Sequence, residues 1–343
     1  MKKRGGNRLK YQVEKALKSI NYIGQSKKEF RDAEKDTGIH SIKQMEHALS
    51  VSQNFAEWLK TEKGKKDLFQ LKRSDYRDYM EYMKFTGVSN GHLINVETNL
   101  RLLNKGMEKI SEQKGMQSRD WVPKQRIVDV MEREKPKDRS YSTEEIERIR
   151  EKMSTNVQVG ADLQLAFGLR LREVANTKVA HILERDGKLF WRAVSDREAL
   201  NTAVGVTKAG RARETPCRPE YEQRIRELIS GKQSHEFVSN AKYNSLKAAY
   251  YRAGTSGSHG FRHTYAREML TQKLKNQGIY EQGRSMIQRM LENRAAGYRK
   301  DHLVTRDERE LYKQVIAAVD QVHADLGHGR GRIDLCEVYM AGI

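Results

Sequence analysis

The chain has 343 residues, and its 65 Lys and Arg against 46 Asp and Glu give a formal net charge of +19. This excess runs along the whole length and indicates a polyanionic partner, most often nucleic acid, although a basic surface without a partner has the same composition. No run of eighteen apolar residues occurs and no apolar signal core follows the basic N-terminus, so we expect a cytoplasmic protein without a membrane partner.

The first 133 residues are predicted to be helical. Residues 1–40 comprise a basic arm and a first helix, and residues 41–133 form a compact helical domain whose apolar residues recur every three or four positions. Lys and Arg on its exposed faces favour a DNA-binding module, although any small helical bundle shows the same periodicity. The helices are predicted from Tyr11 to about Phe30, from Ile42 to Leu59, from a cap at Ser74-Asp75 and from about His92.

A second domain is predicted over residues 141–343, after a charged linker at residues 134–140. Ser142 caps its first helix, whose first turn is acidic. Ala209-Gly210 joins two β-like segments in the manner of a hairpin. Strands are predicted over 188–194, 203–208 and 212–217, and the last helices over 311–326 and from 334 to about 340.

His259 and Arg262 form a candidate phosphate site. They stand three residues apart at the start of a helix predicted to begin near Ser258, where free N–H groups already favour an anion. Arg offers two donors to phosphate oxygens, and His can donate a hydrogen bond or move a proton. Taken alone, the same stretch fits a basic helix that lies on a nucleic-acid backbone without chemistry.

Other residues of the second domain are ambiguous by themselves. Arg170 lies in an otherwise apolar segment and needs a partner or a ligand, so it either pairs with Glu173 or binds an anion. Lys208, at the predicted hairpin, is equally consistent with an ordinary exposed lysine. Cys217 and Cys336 lack metal-ligand spacing, which argues against structural zinc.

Five segments in chain order resemble the motifs of the tyrosine recombinase (phage integrase) family, and the resemblance covers roughly residues 40–343. It implies a mainly α protein with a small antiparallel sheet, in which a helical core-binding domain and a catalytic domain form a C-shaped clamp around duplex DNA. It also implies a dimer on each DNA site and a tetramer in synapsis. The segments are Gly168-Leu169-Arg170-Leu171-Arg172-Glu173, Thr207-Lys208-Ala209-Gly210-Arg211-Ala212-Arg213, His259-Gly260-Phe261-Arg262-His263-Thr264, Leu326-Gly327-His328 and Tyr339.

The resemblance assigns three residues to the scissile phosphate. Arg170 and Arg262 match the two arginines that hold it, and His328 matches the histidine of the Leu-Gly-His motif. Attack on phosphorus builds negative charge on the non-bridging oxygens, and these three side chains would stabilise that charge where it develops.

Three further residues match positions that move protons and make bonds. Tyr339 matches the nucleophile, Lys208 the lysine that protonates the leaving 5′ oxygen, and His259 a histidine that assists proton transfer or holds a phosphate oxygen. A phenol, with an ordinary pKa near ~10, needs nearby cations and a proton acceptor to attack at neutral pH. The product is a 3′-phosphotyrosyl link, and the reaction requires neither metal nor ATP. The outcome would be integration, excision or resolution of a mobile element.

The chain departs from the family in the spacing of these motifs. Arg262 and His328 are further apart than in compact relatives, so an insertion is expected near residues 275–309, as a surface helical pair or as a contact between protomers. Only residues 340–343 follow Tyr339, so the C-terminal helix that many relatives pass to a neighbour is expected to be missing.

Two other functions remain open. A type IB topoisomerase-like enzyme would use the same chemistry, and a catalytically silent, sequence-specific DNA-binding protein would use none. The two-domain organisation and the five motifs favour a recombinase over a topoisomerase. The short segment after Tyr339 leaves the silent DNA-binding protein as an alternative.

Overall fold

The computed structural model describes residues 8–35, 37–117, 120–129, 134, 137–255, 257 and 259–339. It confirms the predicted fold class, mainly helical with one small antiparallel sheet. The chain divides into two compact units between Glu134 and Lys135, called here the N-terminal and C-terminal units. No helix in these described ranges is long and apolar enough to cross a membrane. The predicted arm at residues 1–7, residues 135–136 of the predicted linker, Ser258 and the tail at residues 340–343 lie outside the described residues.

In the described part of the N-terminal unit, five α-helices pack around one apolar core. Ser41 and Ser89 cap two of them, because each hydroxyl accepts a hydrogen bond from the backbone N–H three residues on. The core includes Phe55, Tyr76 and Leu100, which are fully buried. The helices are α1 (Arg8–Ser19), α2 (Lys27–Asp32), α3 (Ile42–Lys63), α4 (Arg73–Phe85) and α5 (Asn90–Gln113).

Two predictions for this unit are wrong in detail. The single helix expected up to Phe30 is α1 and α2, and Gly24 lies between them in a turn with a φ of 89°. Asp75 caps the start of α4, because its carboxylate accepts a hydrogen bond from the Lys72 backbone N–H at 2.9 Å. Ser74 does not act as the side-chain cap. Asp75 was predicted at the helix boundary, whereas it lies inside the first turn of α4.

The C-terminal unit contains nine helices and three strands in the described part of the chain. Ser142 caps the first helix as predicted, accepting the Glu145 N–H at 3.2 Å. Nearly every residue of α7 from Val157 onward is buried, so this helix lies at the centre of the unit. The helices are α6 (Thr143–Glu151), α7 (Thr155–Phe167), α8 (Leu171–Ala175), α9 (Glu222–Ile229), α10 (Tyr243–Arg252), α11 (Gly260–Asn276), α12 (Tyr280–Ala295), α13 (Arg309–Asp325) and α14 (Cys336–Tyr339).

The sheet is antiparallel in the order β1 (Ile182–Arg185), β2 (Lys188–Ala193), β3 (Arg213–Pro216). The predicted strand at 203–208 is wrong, because Gly205 has a φ of 79° and the segment turns back on itself with the Thr207 N–H bonded to the Ala203 carbonyl. β3 therefore pairs with β2, not with that segment. The unpredicted β1 joins β2 through Asp186-Gly187, where both residues have positive φ, a typical two-residue hairpin turn.

Helix α11 lies between two apolar clusters of the C-terminal unit. Phe261 belongs to the cluster formed with α7, α8 and the sheet. Tyr265 and Leu270 belong to a second cluster formed with α12, α13 and α14. The intervening first turn of α11, which carries Arg262, is thus fixed from both sides.

The segment at 275–309 is not a surface helical pair. It contains one helix, α12, whose Met286, Ile287 and Met290 are buried in the second cluster. Its last turn also contacts α14, since Arg294 Nη1 donates to Glu337 Oε2 at 3.1 Å. The segment is therefore part of the core that supports the C-terminal helices.

The closest backbone approach in the N-terminal unit provides a test of its packing. We expect Gly106→Ala to lower the free energy of unfolding by about 1–3 kcal/mol. An added Cβ would overlap the Ala16 carbonyl of α1, and backbone cannot rotate away. The overlap therefore costs more than the roughly 1 kcal/mol of stability that alanine gains over glycine through its higher helix propensity, and the net change is destabilising. Urea unfolding measures the change. Glu112→Ala, at an exposed position of α5, is the control, and equal stability of the two variants would contradict the contact.

Candidate functional site

Arg170 is positioned by the junction between α7 and α8. Gly168 ends α7 in the left-handed conformation, with a φ of 60°, and packs against the Tyr265 ring so closely that no Cβ would fit. Arg170 then begins α8: its backbone N–H donates to Glu173 Oε2 at 2.7 Å and its Nη1 donates to Oε1 at 2.9 Å. The pairing with Glu173 that the sequence left open is therefore present, while the Arg170 side chain remains 23% exposed.

Arg262 joins α11 to the ends of two other helices. Its side chain is fully buried. Nη1 donates to the Gly168 carbonyl and Nη2 to the Leu326 carbonyl. Nη2 also lies 3.4 Å from His328 Nε2. Arg262 thus holds the end of α7 against the end of α13.

The Leu326 carbonyl is shared by three guanidiniums. Helix α13 ends at this residue, and Gly327 follows in the left-handed conformation, as the sequence predicts for a helix end. The carbonyl accepts from Arg262 Nη2, from Arg170 Nη2 at 3.4 Å and from Arg213 Nη1 at 3.3 Å. A helix C-terminus carries partial negative charge, which suits these donors. We call Arg170, Arg213 and Arg262 the arginine cluster.

Among the described residues, Glu173 is the carboxylate that lies within 4.0 Å of all three arginines of the cluster. It is 1% exposed, and Arg213 Nη2 lies 3.0 Å from its Oε2, with Arg262 Nη1 at 4.0 Å. Burial by itself raises the pKa of Glu173, but Arg213, Arg262 and Arg170 outweigh it and bring the pKa below its usual range. The carboxylate is therefore ionised.

The arginine cluster has more positive charge than its carboxylate balances. Burial, with repulsion from Arg213 and Arg170, lowers the pKa of Arg262 to about 9, so this guanidinium is still protonated at neutral pH. Three guanidiniums then face one carboxylate, and the surplus lies in a poorly hydrated space. An anion such as a phosphate would offset this surplus.

Tyr339 lies against the same cluster. Its ring stacks on His263 at 4.5 Å between centroids and lies 4.8 Å from the His328 ring and 5.8 Å from Arg262 Cζ. Cys336, one turn earlier, is fully buried in the second apolar cluster and anchors α14. The rings of Tyr339 and His328 therefore help to cover the Arg262 guanidinium.

Two predicted site residues lie apart from these contacts. Lys208 is exposed on a short turn, Lys208–Gly210, and no hydrogen bond or ion pair within the described ranges joins it to the arginine cluster. His259 caps the start of α11 and is exposed, three residues before Arg262. The structure thus places His328 and Tyr339 against Arg262 and joins Arg170 to Arg262 through the Leu326 carbonyl, whereas Lys208 and His259 lie at exposed positions.

Sequence reasoning missed Arg213, the central position of Glu173 and the contact of His263 with Tyr339. Arg213 and Thr215 are both buried on one face of β3, and Glu214 between them is exposed. That alternation was visible as an arginine on the inward face of a strand. In the described part of the chain, no group of three His, Cys, Asp or Glu residues is arranged to hold a metal ion.

Known structures share this fold, although no family model and no curated protein matches the sequence. A XerH site-specific recombinase bound to palindromic difH substrate aligns with a TM-score of 0.52 at 12% identity, over 97% of this chain and 91% of that chain. A lambda integrase tetramer bound to a Holliday junction aligns with a TM-score of 0.50 at 11% identity, over 94% of this chain and 77% of that chain. The predicted resemblance to tyrosine recombinases is therefore confirmed as a likeness of fold.

Three neutral histidines near the site predict acid sensitivity. Burial first, and nearby cations in addition, lowers the pKa of His263 to about 4 and of His328 to about 3, and burial lowers that of His323 to about 4. Between pH 6.5 and 4 the unfolded chain therefore binds protons that the folded chain does not. The free energy of unfolding is expected to fall as pH falls through this window, by at most about 1.4 kcal/mol per pH unit for each histidine.

Urea unfolding at pH 7, 6 and 5 measures this dependence. His323→Phe is the informative variant, since His323 is fully buried and neither ring nitrogen has a hydrogen-bond partner within the described ranges. Its stability is expected to vary less with pH than that of the wild type. His235→Gln, at an exposed loop position, is the control. An unchanged pH dependence in His323→Phe would contradict the prediction.

Proposed function

We propose that this protein is a site-specific DNA recombinase or integrase that cleaves and rejoins duplex DNA through a 3′-phosphotyrosyl intermediate, for the movement or resolution of a mobile element. The observation that carries the proposal is the arginine cluster, with its surplus positive charge, in contact with the ring of Tyr339. A phosphate site beside a phenol is what this reaction requires.

Arg170 and Arg262 would hold the scissile phosphate. Both carry donors close to the same point, the Leu326 carbonyl, so a phosphate oxygen near that point meets two guanidiniums. Guanidinium forks suit the non-bridging oxygens and stabilise the charge that grows on them during attack.

His328 would supply a further donor. Its ring is neutral at neutral pH, and with Arg262 donating to Nε2 the hydrogen lies on Nδ1. Nδ1 has no hydrogen-bond partner among the described residues. It is therefore free to donate to a phosphate oxygen without adding a fourth positive charge to those of the three guanidiniums.

Tyr339 would be the nucleophile and Lys208 the general acid. The Tyr339 hydroxyl would pass its proton to a base, for which His259 is the candidate, as its oxygen forms a bond to phosphorus. The bond from phosphorus to the 5′ oxygen breaks, and that oxygen takes a proton from the Lys208 ammonium. A 5′-hydroxyl reverses these steps and releases the tyrosine. Lys208 is exposed on a turn five residues before Arg213, and this turn would have to bring its ammonium to the leaving oxygen when DNA is bound. His259, exposed three residues before Arg262, would take or hold a proton or bond a phosphate oxygen.

Entry of DNA would require α14 to move. Arg262 is fully buried here, so it can bind phosphate only after the Tyr339 ring has shifted. The connection from α13 to α14 contains Gly327, Gly329 and Gly331, all with positive φ, which leaves few side chains to restrict such a shift.

Duplex DNA is the proposed partner, with a dimer on each site and a tetramer in synapsis. The net charge of +19 supports a polyanionic partner. The similar solved structures are a XerH recombinase on its difH substrate and a lambda integrase tetramer on a Holliday junction. The helical N-terminal unit would contribute further contacts to the phosphate backbone of the DNA.

Covalent trapping tests the proposal. We expect the wild type to form a covalent adduct with a pool of nicked duplexes drawn from the ends of the element that encodes the chain, and Tyr339→Phe to form none, because phenylalanine lacks the attacking oxygen. Gel electrophoresis under denaturing conditions detects the adduct. Tyr298→Phe, at an exposed position, is the control and is expected to react like the wild type. DNA binding without an adduct would indicate a silent DNA-binding protein, and relaxation of plasmid by a monomer would indicate a topoisomerase.

Arg170→Ala separates catalysis from DNA affinity. Its cleavage rate is expected to fall by about 10²–10³-fold, because a donor to the developing charge is lost. Its affinity for duplex DNA is expected to stay within about threefold, since affinity comes from many phosphate contacts. Single-turnover cleavage and filter binding measure the two quantities. The control is Arg172→Ala, exposed on the same helix, and an equal loss of binding and cleavage in Arg170→Ala would contradict the assignment.

A further inference from the structure

We propose that Arg213 is a positioning residue that occupies the Glu173 carboxylate and the Leu326 carbonyl, so that Arg170 and Arg262 keep their charge for the DNA phosphate. The inference rests on the proposed function. It concerns a residue that the matched motifs leave without a role.

Arg213 is buried on the inward face of the sheet. It is the first residue of β3, opposite Ala193 of β2, and its side chain is 4% exposed. An arginine in such a place is costly unless its charge is compensated by close acceptors. A side chain this buried acts through the residues that it contacts.

One carboxylate, one backbone carbonyl and one aromatic ring fix the Arg213 side chain. Nη2 lies 3.0 Å from Glu173 Oε2, and Nη1 donates to the Leu326 carbonyl at 3.3 Å. The guanidinium also lies 4.9 Å from the ring of Trp191, which is itself buried and donates to Thr177 Oγ1 at 3.0 Å. A Cβ at residue 327 would come within 2.9 Å of Arg213 Cδ, so Gly327 leaves room for this side chain.

The acceptors of Arg213 are also those of the two proposed phosphate ligands. Arg170 donates to Glu173 and to the Leu326 carbonyl, and Arg262 donates to the same carbonyl. Arg213 is closer to Glu173 Oε2 than Arg262 is, at 3.0 Å against 4.0 Å. Arg213 therefore compensates the Oε2 side of the carboxylate more closely than Arg262 does, and Arg262 retains more of its attraction for a phosphate.

Without Arg213, the Glu173 carboxylate would compete with the phosphate for Arg170 and Arg262. With the Arg213 ion pair gone, the carboxylate would draw Arg262 closer, hold Arg170 more tightly and offset more of their charge. Phosphate would then meet a cluster with one surplus charge fewer, and stabilisation of the transition state would weaken. Binding of the duplex, which depends on many other contacts, would not change.

The test compares single-turnover cleavage and half-saturating duplex concentration in four variants. Arg213→Met keeps side-chain length without charge and is expected to cleave at least about 30-fold more slowly at unchanged half-saturation. Arg213→Lys keeps the charge and is expected to stay within about tenfold of the wild type. The matched control is Arg218→Met, since Arg218 is also buried, lies over a tyrosine ring and pairs with a glutamate.

The fourth variant, Glu173→Gln combined with Arg213→Met, distinguishes positioning from simple loss of core packing. Removal of the uncompensated carboxylate is expected to raise the cleavage rate at least about threefold above that of Arg213→Met, an outcome that a packing defect does not produce. Wild-type cleavage by Arg213→Met, or a double variant no faster than it, would overturn the inference and leave the proposed function intact. Failure of the wild type to form any adduct would overturn both.

Discussion

The end of helix α13 and the start of α8 are held together by guanidiniums that share one backbone carbonyl and one buried carboxylate. Leu326 provides the carbonyl and Glu173 the carboxylate, and each is contacted by Arg170, Arg213 and Arg262. Like charges this close are tolerated only where acceptors are fixed in place. The packing of the C-terminal unit can therefore be understood as the framework that keeps these acceptors from moving.

That framework explains why the supporting elements are so thoroughly buried. Helix α11 lies between two apolar clusters, α7 is buried along most of its length, and α12 fills the space beside α13. A shift of any one would separate the arginines from Leu326 or Glu173. The long segment between Arg262 and His328 thus has a structural role within one chain, because α12 enlarges the apolar cluster against which α13 and α14 pack.

The sequence predicted the residues of this site better than the contacts between them. The order of the motifs selected Arg170, Arg262, His328 and Tyr339. In the structure the two arginines share the Leu326 carbonyl, and His328 and Tyr339 lie against Arg262. The catalytic roles of these residues stay a prediction. The common acceptor could not be predicted, because it is a main-chain carbonyl and leaves no signal in residue type. Arg213 was overlooked because the segment before β3 was taken for its hairpin partner, whereas β3 pairs with the more distant β2.

The resting position of Tyr339 affects selectivity as well as chemistry. In the free protein the phenol ring lies over Arg262, whose guanidinium is fully buried and therefore not available to a passing phosphodiester. For an enzyme of the proposed kind, the free energy that separates them must come from contacts with the DNA, and a cognate site makes more contacts than a chance sequence does. Accidental breaks elsewhere in a genome would then be suppressed before any bond to phosphorus forms, because random encounters dissociate while the site is still closed.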